Sequence, residues 1–261
     1  MTQPGPRFGS DNIFPLTGPQ SLAPDCRHSS EEGAGRLFCP VCEKFADSFN
    51  AYGLTRRPSV HCPNCHSLER HRLAWTYFVR FTDLCRMKEG VLLHVAPERG
   101  MEARFRGLES LRYLSVDRSS ARAMVKMDLT DLAFPDRTFD VIYCRHVLEH
   151  IPDERRALEE LYRSLKVGGW AVIQVPVIAA VTYEDDDVIA PPDRERVFGQ
   201  HDHVRSYGPD FEERLARAGF AATHILAADV VSPEEMKTMA ISSHHDLFHC
   251  QRRREPAPRL P

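Results

Sequence analysis

The chain has 261 residues, 42% of them hydrophobic and 27% charged, and its formal net charge at pH 7 is -3. This composition is typical of a globular protein with at least one full core, and it gives no overall electrostatic attraction to nucleic acid. No run of about 18 apolar residues is present to span a bilayer, and the N-terminus lacks the basic and then apolar order of a signal peptide. We expect no membrane partner and a cytoplasmic location.

Residues 1–34 and 253–261 are rich in Pro, Gly, Ser or charged residues and have no apolar period. Such segments bury too little apolar surface to fix a structure, so we expect a disordered N-terminal tail and a flexible C-terminal tail. The carboxylate run at 184–187 is interpreted as a solvated loop, since neighbouring carboxylates on a flexible segment repel each other. The ordered part then divides into residues 35–88 and 89–252.

Two cysteine pairs dominate residues 35–88. The segments "CPVC" and "CPNC" form a C-x2-C-x19-C-x2-C pattern with Cys39, Cys42, Cys62 and Cys65. Two thiolates at this spacing can point at one ion from a tight turn, and two such turns complete a tetrahedron, so the pattern predicts a structural zinc ribbon. Disulfides or unrelated buried thiols are the alternative, which a reducing compartment disfavours. His61 or His66 could also replace one cysteine as ligand.

A helix is predicted directly after the ribbon. From Ser67, a candidate N-cap, to Gly90, apolar residues recur at roughly helical spacing, so one long linking helix should join the ribbon to the second domain. Residues 54–88 carry seven Lys or Arg against two acidic residues, and Arg70 and Arg72 are among them. This excess is either an RNA-facing patch or the solvated face of an amphipathic helix, and the interleaved apolar residues favour the second interpretation.

The second domain alternates short apolar runs with helical stretches, the pattern of a mostly parallel sheet covered by helices on both faces. Seven runs are candidate strands, at residues 91–95, 112–116, 124–127, 140–144, 170–175, 222–227 and 245–250. Helices are expected at about 100–107, in part of 119–124, at 153–165 and at 209–218. The prediction is an α/β fold with a seven-stranded Rossmann-like sheet, preceded by a small zinc ribbon and a linking helix.

The turn after the first strand has the position of a nucleotide-cofactor loop but few of its glycines. The segment "VLLHVAPERG" leaves the strand through Ala96, Pro97 and Glu98 and keeps one glycine, Gly100. The next strand ends in Asp117, 17 residues past Gly100, near the interval at which a carboxylate meets a ribose. The third strand ends in "MDLTDL", whose first carboxylate can accept from an adenine amine, and the fourth runs into a turn that bears His and Glu.

The chain resembles the class I S-adenosylmethionine-dependent methyltransferases, particularly the type 11 group, through "LLHVAPERG", "LSVD", "MDLTDLAFPDRTFDVIYCRHVLEHIPD" and "LKVGGWAVIQVPV". The resemblance extends from about Val91 to Gly219. It implies a methyltransferase sheet of seven strands with an antiparallel last strand, and S-adenosylmethionine as cofactor over the carboxyl ends of the first strands. It assigns cofactor contacts to Ala96, Pro97, Glu98, Gly100, Asp117, Asp128, Leu129 and Arg145.

The first motif departs from the family pattern. His94 stands where the family has an acidic residue, and Ala96 and Glu98 stand where it has glycines. A subgroup with a cysteine-rich N-terminal ribbon is similar to this chain, including the "APE" turn and the "FGQHDHVRSYG" segment, so we interpret the loop as a variant. Pro97 can fix the turn that glycine would otherwise permit, and Glu98 can accept from the cofactor's ammonium.

Polar residues near the expected acceptor come from two segments. Those after the fourth strand include Glu149 and His150, which are equally suited to capping or packing the next helix. The second segment, "FGQHDHVRSYG", is interpreted as a substrate lid. A metal site at His201-Asp202-His203 is disfavoured, because alternate side chains point apart unless the loop curls. The catalytic candidates are His146, His150 and His203, and the substrate-binding candidates are His201, Arg205 and Tyr207.

Three functions remain open at this point. An enzyme that methylates a small molecule or a saccharide precursor fits the acidic net charge and the polar insertion. An RNA methyltransferase fits the zinc ribbon and the basic helix. A noncatalytic interaction protein with a degenerate cofactor pocket fits the altered first motif. We favour the small-molecule acceptor.

Overall fold

The structure, a computed structural model, describes residues 35–53 and 56–253. The predicted N-terminal tail lies outside the described residues, as does the C-terminal tail except for Arg253. In the part that is described, none of the helices combines the length and the apolar character needed to cross a membrane.

The ribbon consists of two short antiparallel hairpins. Its strands are β1 (Leu37–Cys39), β2 (Lys44–Ala46), β3 (Asn50–Tyr52) and β4 (Arg57–His61). β1 pairs with β2, and β3 pairs with β4. Cys39 ends β1 and Cys42 lies in the turn to β2, whereas Cys62 and Cys65 follow β4. Each cysteine pair therefore lies at a tight turn, as the spacing predicts.

The linking helix is shorter than predicted. α1 spans Glu69–Phe81 and is followed by a 3-10 turn at Leu84–Arg86. Thr82 ends the helix, because its backbone is extended and its hydroxyl donates to the carbonyl of Phe78. The predicted N-cap, Ser67, lies before the helix and its hydroxyl contacts the cysteine cluster instead.

α1 is buried on nearly every side. Arg72 therefore belongs neither to an RNA-facing patch nor to a solvated helix face, the two interpretations given above for the basic residues. The Arg72 side chain is fully buried, at 0% exposure. Its guanidinium donates at 2.6–3.2 Å to the backbone carbonyls of Val60, Ser67, Met239 and Ala240. A buried cation is tolerated when its donors are satisfied in this way. Arg72 thus fastens α1 to the ribbon on one side and to a C-terminal segment on the other.

The second domain contains the remaining strands and helices. Its strands are β5 (Gly90–Val95), β6 (Leu111–Asp117), β7 (Val125–Lys126), β8 (Phe139–Arg145), β9 (Leu165–Gln174), β10 (Tyr183–Glu184), β11 (Arg205–Ser206), β12 (Ala221–Leu226) and β13 (Asp246–Gln251). Its helices are α2 (Arg99–Arg106), α3 (Glu154–Ser164), α4 (Pro191–Phe198), α5 (Phe211–Arg217), α6 (Ala227–Val230) and α7 (Pro233–Thr238), with a 3-10 turn at Leu148–His150.

Seven of these strands form one sheet in the order β12-β13-β9-β8-β5-β6-β7. β13 is antiparallel to both of its neighbours, whereas β9, β8, β5, β6 and β7 pair in parallel. The order and the single antiparallel strand confirm the predicted fold. Since the parallel strands end at the same edge, the segments after β5, β6 and β8 are brought together there.

The helix predicted in part of 119–124 is wrong, because this segment forms bends and turns. One carboxylate oxygen of Asp117 accepts hydrogen bonds from the backbone N–H groups of Ser119 and Ser120, at 2.8 and 2.7 Å. Side-chain hydrogen bonds of this kind offer the backbone an alternative to helical pairing.

Each face of the sheet has its own hydrophobic core. On one face, β5 and β8 pack with α3 and α5 through residues such as Leu93, Leu161 and Phe211. On the other face, Leu92 belongs to a cluster that includes α1, α2, α6 and the ribbon cysteine Cys39. The ribbon and α1 therefore complete the core of the second domain, and the two predicted units share one interior.

Burial of His249 on β13 predicts a loss of stability in acid. Its ring stacks on Trp170 at 5.6 Å, and burial lowers its pKa from 6.5 to about 4. The unfolded chain therefore takes up a proton first as the pH falls, so the free energy of unfolding should decrease between about pH 6.5 and 4, by on the order of 3 kcal/mol.

His249→Phe keeps the ring and removes the titration, so the pH dependence of the thermal unfolding midpoint should flatten in this range. The exposed His244 provides the control, and His244→Phe should leave the wild-type slope. Parallel slopes for His249→Phe and the wild type would contradict the prediction.

Candidate functional site

The turn after β5 keeps a glycine-like backbone without the glycine. Ala96 has a φ of 51°, in the left-handed region, and its N–H donates to the carbonyl of Val116 at 2.8 Å. Pro97 is buried, and Glu98 is the extended N-cap residue of α2. The loop thus turns at Ala96, which adopts a conformation that costs an L-residue about 1 kcal/mol.

The Glu98 carboxylate is surrounded by basic groups of the protein. One oxygen lies 2.8 Å from Nε2 of His94, and the other pairs with the guanidinium of Arg145 and lies 3.5 Å from Nε2 of His71. Burial alone would raise the pKa of Glu98, but the Arg145 charge and the two imidazoles hold it well below its usual value. The carboxylate is an anion committed to this cluster.

The protonation of His94 follows from its partners. A carboxylate only accepts, so Nε2 of His94 donates to Glu98, and Nδ1 accepts from the hydroxyl of Tyr113 at 3.1 Å. His94, which stands where the resemblance predicts an acidic residue, therefore holds the Glu98 carboxylate at the end of β5.

Three basic groups at this edge of the sheet have a buried nitrogen that makes no well-formed hydrogen bond. Nη1 of Arg145 and Nε of Arg70 have no hydrogen-bond partner among the described residues, and Nε2 of His71 has only the 3.5 Å contact with Glu98. Burial and the Arg145 charge lower the pKa of Arg70 to about 10, and the same two causes lower that of His71 to about 3. Two guanidinium cations and a neutral imidazole thus present donors that fit an anionic ligand group.

Sequence reasoning missed Arg70 and His71 as residues of this site. Both stand at the start of α1, outside the segment that carries the family resemblance. The available signal was the charged stretch "ERHR" in a helix that is otherwise apolar, which indicates polar groups directed into the interior.

The predicted ribose and adenine residues lie at the ends of the next strands. Asp117 ends β6, which pairs in parallel with β5 as far as Val95 and Val116, so Asp117 and Ala96 follow the same pair of neighbouring residues. Oδ1 of Asp117 accepts from two backbone N–H groups, which fixes the orientation of the side chain. Asp128 is held by the backbone and the hydroxyl of Thr130, and the neighbouring Leu129 is buried.

Gly100 faces the ribbon. A Cβ at this position would lie 3.1 Å from the carbonyl of Cys65, 3.4 Å from Val41 and 3.5 Å from Ser67. The single glycine left in the first motif therefore lies where the turn that carries Cys65 approaches closely. The cofactor loop and the ribbon are in direct contact.

The four predicted zinc ligands form one cluster. Cys39 and Cys65 have their sulfurs 3.6 Å apart, Cys42 and Cys62 3.8 Å, and the four sulfurs lie within 4.8 Å of one another. A tetrahedron with Zn–S bonds of about 2.3 Å has edges of about 3.8 Å, so the residues fit the ion. The alternative ligands, His61 and His66, are not part of the cluster.

The three catalytic candidates lie together beyond β8. His146 has a φ of 49°, and its Nδ1 lies 2.8 Å from the buried Glu149 carboxylate. Nδ1 of His150 lies 3.2 Å from Asp202, and the ring of His203 meets that of His150 edge-on at 4.8 Å. The turn after β8 and the insertion are thus in contact at these residues.

The three substrate-binding candidates lie in different surroundings. Arg205 and Tyr207 are buried, at 2% and 0% exposure, and His201 is exposed. The guanidinium of Arg205 donates to three backbone carbonyls of the turn after β8, and the hydroxyl of Tyr207 donates to Glu154 at 2.7 Å. Arg205 and Tyr207 thus hold the insertion against the rest of the domain through these hydrogen bonds.

Comparisons with known proteins concern the second domain. Residues 91–173 match the family described as "Methyltransferase domain". Phosphoethanolamine N-methyltransferase 3 of Arabidopsis thaliana is 36% identical over 93 residues, which are 36% of this chain and 18% of that protein. Phosphoethanolamine N-methyltransferase 1 of Zea mays is 31% identical over 102 residues, 39% of this chain and 19% of that protein.

A solved S-adenosylmethionine-dependent methyltransferase from Mesorhizobium loti has a TM-score of 0.44 and 20% identity, over 64% of this chain and 92% of that one. The chain spans about a fifth of the length of the curated relatives it matches. Residues 91–173, which contain all but the first residue of β5, then β6 to β8 and most of β9, are therefore similar to a methyltransferase domain.

The contact between Gly100 and the ribbon predicts that Gly100→Ala is destabilising. Gly100 is a helical residue of α2, where alanine has the better propensity, so any loss must come from the close approach to Cys65. We expect a loss of about 1–3 kcal/mol in the free energy of unfolding, measured by denaturant titration. Gly107→Ala is the control: its Cβ would make only ordinary contacts, at 3.4 and 3.5 Å, and the variant should be as stable as the wild type. Equal stability of the two variants would contradict the packing argument.

Proposed function

We propose that the protein transfers a methyl group from S-adenosylmethionine to a small-molecule acceptor. The observation that carries the proposal is the placement of Asp117 beside the left-handed Ala96 turn, at the carboxyl edge of a methyltransferase sheet. This is the edge at which open α/β sheets bind their ligands.

The proposed cofactor site uses the residues of this edge in distinct ways. Asp117 binds the ribose hydroxyls, since its Oδ1 is held by the backbone and its Oδ2 remains for a ligand. Asp128 and Leu129 receive the adenine. The buried donors of Arg145 and Arg70 receive the carboxylate of the methionine part, which is the anion that their cluster fits. Glu98 then orients Arg145, a role different from the ammonium contact expected from the sequence.

S-adenosylmethionine supplies a methyl group on a sulfonium, from which it is displaced in line by a nucleophile. The leaving group needs no proton, so the protein acts mainly by positioning, and a base is needed only for an acceptor that carries a proton. His146 is the candidate for that base, because the Glu149 carboxylate, 2.8 Å from Nδ1, fixes its ring. Burial lowers its pKa to about 4, so the imidazole is neutral at pH 7 and can accept a proton, although it binds that proton weakly.

A small-molecule acceptor is favoured over RNA by two observations. Burial of Arg72 removes a central residue from the basic surface that RNA binding would need. The curated relatives bear the names of phosphoethanolamine N-methyltransferases, and phosphoethanolamine is a small amine. Phosphoethanolamine and saccharide precursors are therefore the acceptors to test first.

The function is tested by cofactor binding and methyl transfer. The purified protein should bind S-adenosylmethionine in a calorimetric titration and transfer labelled methyl groups to a member of a panel of small amines, phosphoamines and sugars. A folded protein that binds no S-adenosylmethionine would overturn the proposal.

Asp117→Ala should weaken S-adenosylmethionine binding at least about tenfold, since each lost charge-assisted hydrogen bond to the ribose is worth roughly 1.5–3 kcal/mol. Calorimetry of the variant measures the effect. The exposed Asp131 is the matched control, and Asp131→Ala should bind like the wild type. If Asp117→Ala keeps the wild-type affinity, the ribose lies elsewhere.

We propose further that Cys39, Cys42, Cys62 and Cys65 hold one structural zinc ion. A closed four-sulfur site offers no open coordination position, so the ion stabilises the ribbon and performs no chemistry. After dialysis against EDTA, metal analysis should give about one zinc per chain. Cys62→Ser should lose that zinc, whereas Cys85→Ser, at an exposed cysteine outside the cluster, should retain it. A folded wild type without zinc would refute the assignment.

A further inference from the structure

A second group of metal-ligating side chains lies next to the proposed acceptor site. Glu149, His150 and His203 each offer one ligand atom, and these atoms lie within 4.8 Å of one another. Glu149 and His203 are buried, at 0% and 4% exposure, whereas His150 is half-buried. We propose that these three residues bind a divalent transition-metal ion.

The first support is the unused oxygen of Glu149. Oε1 of Glu149 lies 2.8 Å from Nδ1 of His146, but Oε2 is buried and has no hydrogen-bond partner among the described residues. A buried, unpaired carboxylate oxygen costs free energy that a bound cation removes. This carboxylate lies near two imidazoles, which are ligands of transition-metal ions, so a transition-metal cation fits the site.

The second support is the hydrogen bonding of the two imidazoles. Nδ1 of His150 lies 3.2 Å from a carboxylate oxygen of Asp202, and Nδ1 of His203 lies 3.2 Å from the backbone carbonyl of Phe198. Each Nδ1 can therefore donate its proton, which leaves Nε2 as the metal ligand. Metal-binding histidines commonly donate their other nitrogen to a carboxylate or a carbonyl in this way.

The backbone holds the two ligand-bearing segments together. Val204 donates its N–H to the carbonyl of Glu149 at 2.9 Å, and the guanidinium of Arg205 donates to the carbonyls of Leu148 and Ile151 at 2.7 and 2.6 Å. These hydrogen bonds fix the turn that carries Glu149 and His150 relative to the segment that carries His203. Ligands of one ion lie about 3–3.5 Å apart, so small side-chain rotations complete the site.

The site differs from the triplet that the sequence disfavoured. His201-Asp202-His203 cannot converge as a set, but His203 meets ligands from the turn after β8, and Asp202 orients His150. Two imidazoles and one carboxylate suit zinc, manganese, iron(II) or cobalt better than magnesium or calcium. Three protein ligands leave open positions. If the proposed methyl transfer is correct, an acceptor oxygen can occupy one of them; the metal binding itself does not depend on that function.

The test is a Co2+ titration of protein that has been dialysed against EDTA and still contains its ribbon zinc. Calorimetry and visible absorption should show about one Co2+ per chain without thiolate-to-cobalt charge transfer, which excludes exchange into the cysteine site. Glu149→Gln and His203→Gln should each weaken binding at least about tenfold, whereas the control His201→Gln, at an exposed neighbouring histidine, should bind like the wild type.

Two results would overturn the proposal: a folded wild type that binds neither Co2+ nor Mn2+ beyond the ribbon ion, or equal Co2+ affinity in all four proteins. Binding of S-adenosylhomocysteine to the same samples separates this question from the proposed function. If Glu149→Gln loses Co2+ binding but binds S-adenosylhomocysteine like the wild type, the metal site is supported. If the wild type binds Co2+ but no S-adenosylhomocysteine, the metal site is still supported and the proposed methyltransferase function is refuted.

Discussion

The candidate site at the carboxyl edge of the sheet depends on the ion pairs and hydrogen bonds of the Glu98 carboxylate. It is a mostly buried anion, 18% exposed, whose partners come from three separate segments: His94 on β5, Arg145 at the end of β8 and His71 on α1. Removing one partner of a buried charge costs several kcal/mol, because the remaining charge is left uncompensated. The cofactor turn, the fourth strand and the ribbon helix are therefore held in one arrangement, and a small displacement of any of them disturbs the others.

The edge of the sheet separates into two chemical regions. Around Glu98, the cationic donors of Arg145 and Arg70 and the neutral imidazole of His71 prevail, which suits the charged end of a cofactor. Beyond β8, Glu149 and the neighbouring imidazoles prevail, which suits a cation or an acceptor proton. His146, which follows Arg145 directly and contacts Glu149, lies at the boundary. Two reactants of different charge can thus be held at neighbouring places without competing for the same groups.

The sequence was sufficient for the features that depend on local pattern. Buried parallel strands appear as apolar runs, so the sheet was predictable, and Asp117 could be proposed as a cofactor residue because ligands bind where the parallel strands end. The failures arose where a partner far along the chain decides the outcome. Arg72 appeared solvated until carbonyls from 167 and 168 residues away enclosed it, and Glu98 appeared available to a ligand until Arg145 paired with it. The proposed metal site has the same origin, since Glu149 and His203 lie on different segments.

The shared core has a consequence for how the chain can be divided. The ribbon and α1 cover one face of the sheet, where Leu92 and Tyr143 are buried against Phe78 and its neighbours. A chain cut before Glu89 would uncover this face and expose a broad apolar surface to solvent, which favours aggregation. The ribbon is thus part of the domain's interior, and a substitution on its covering face has to remain compatible with the sheet that it covers.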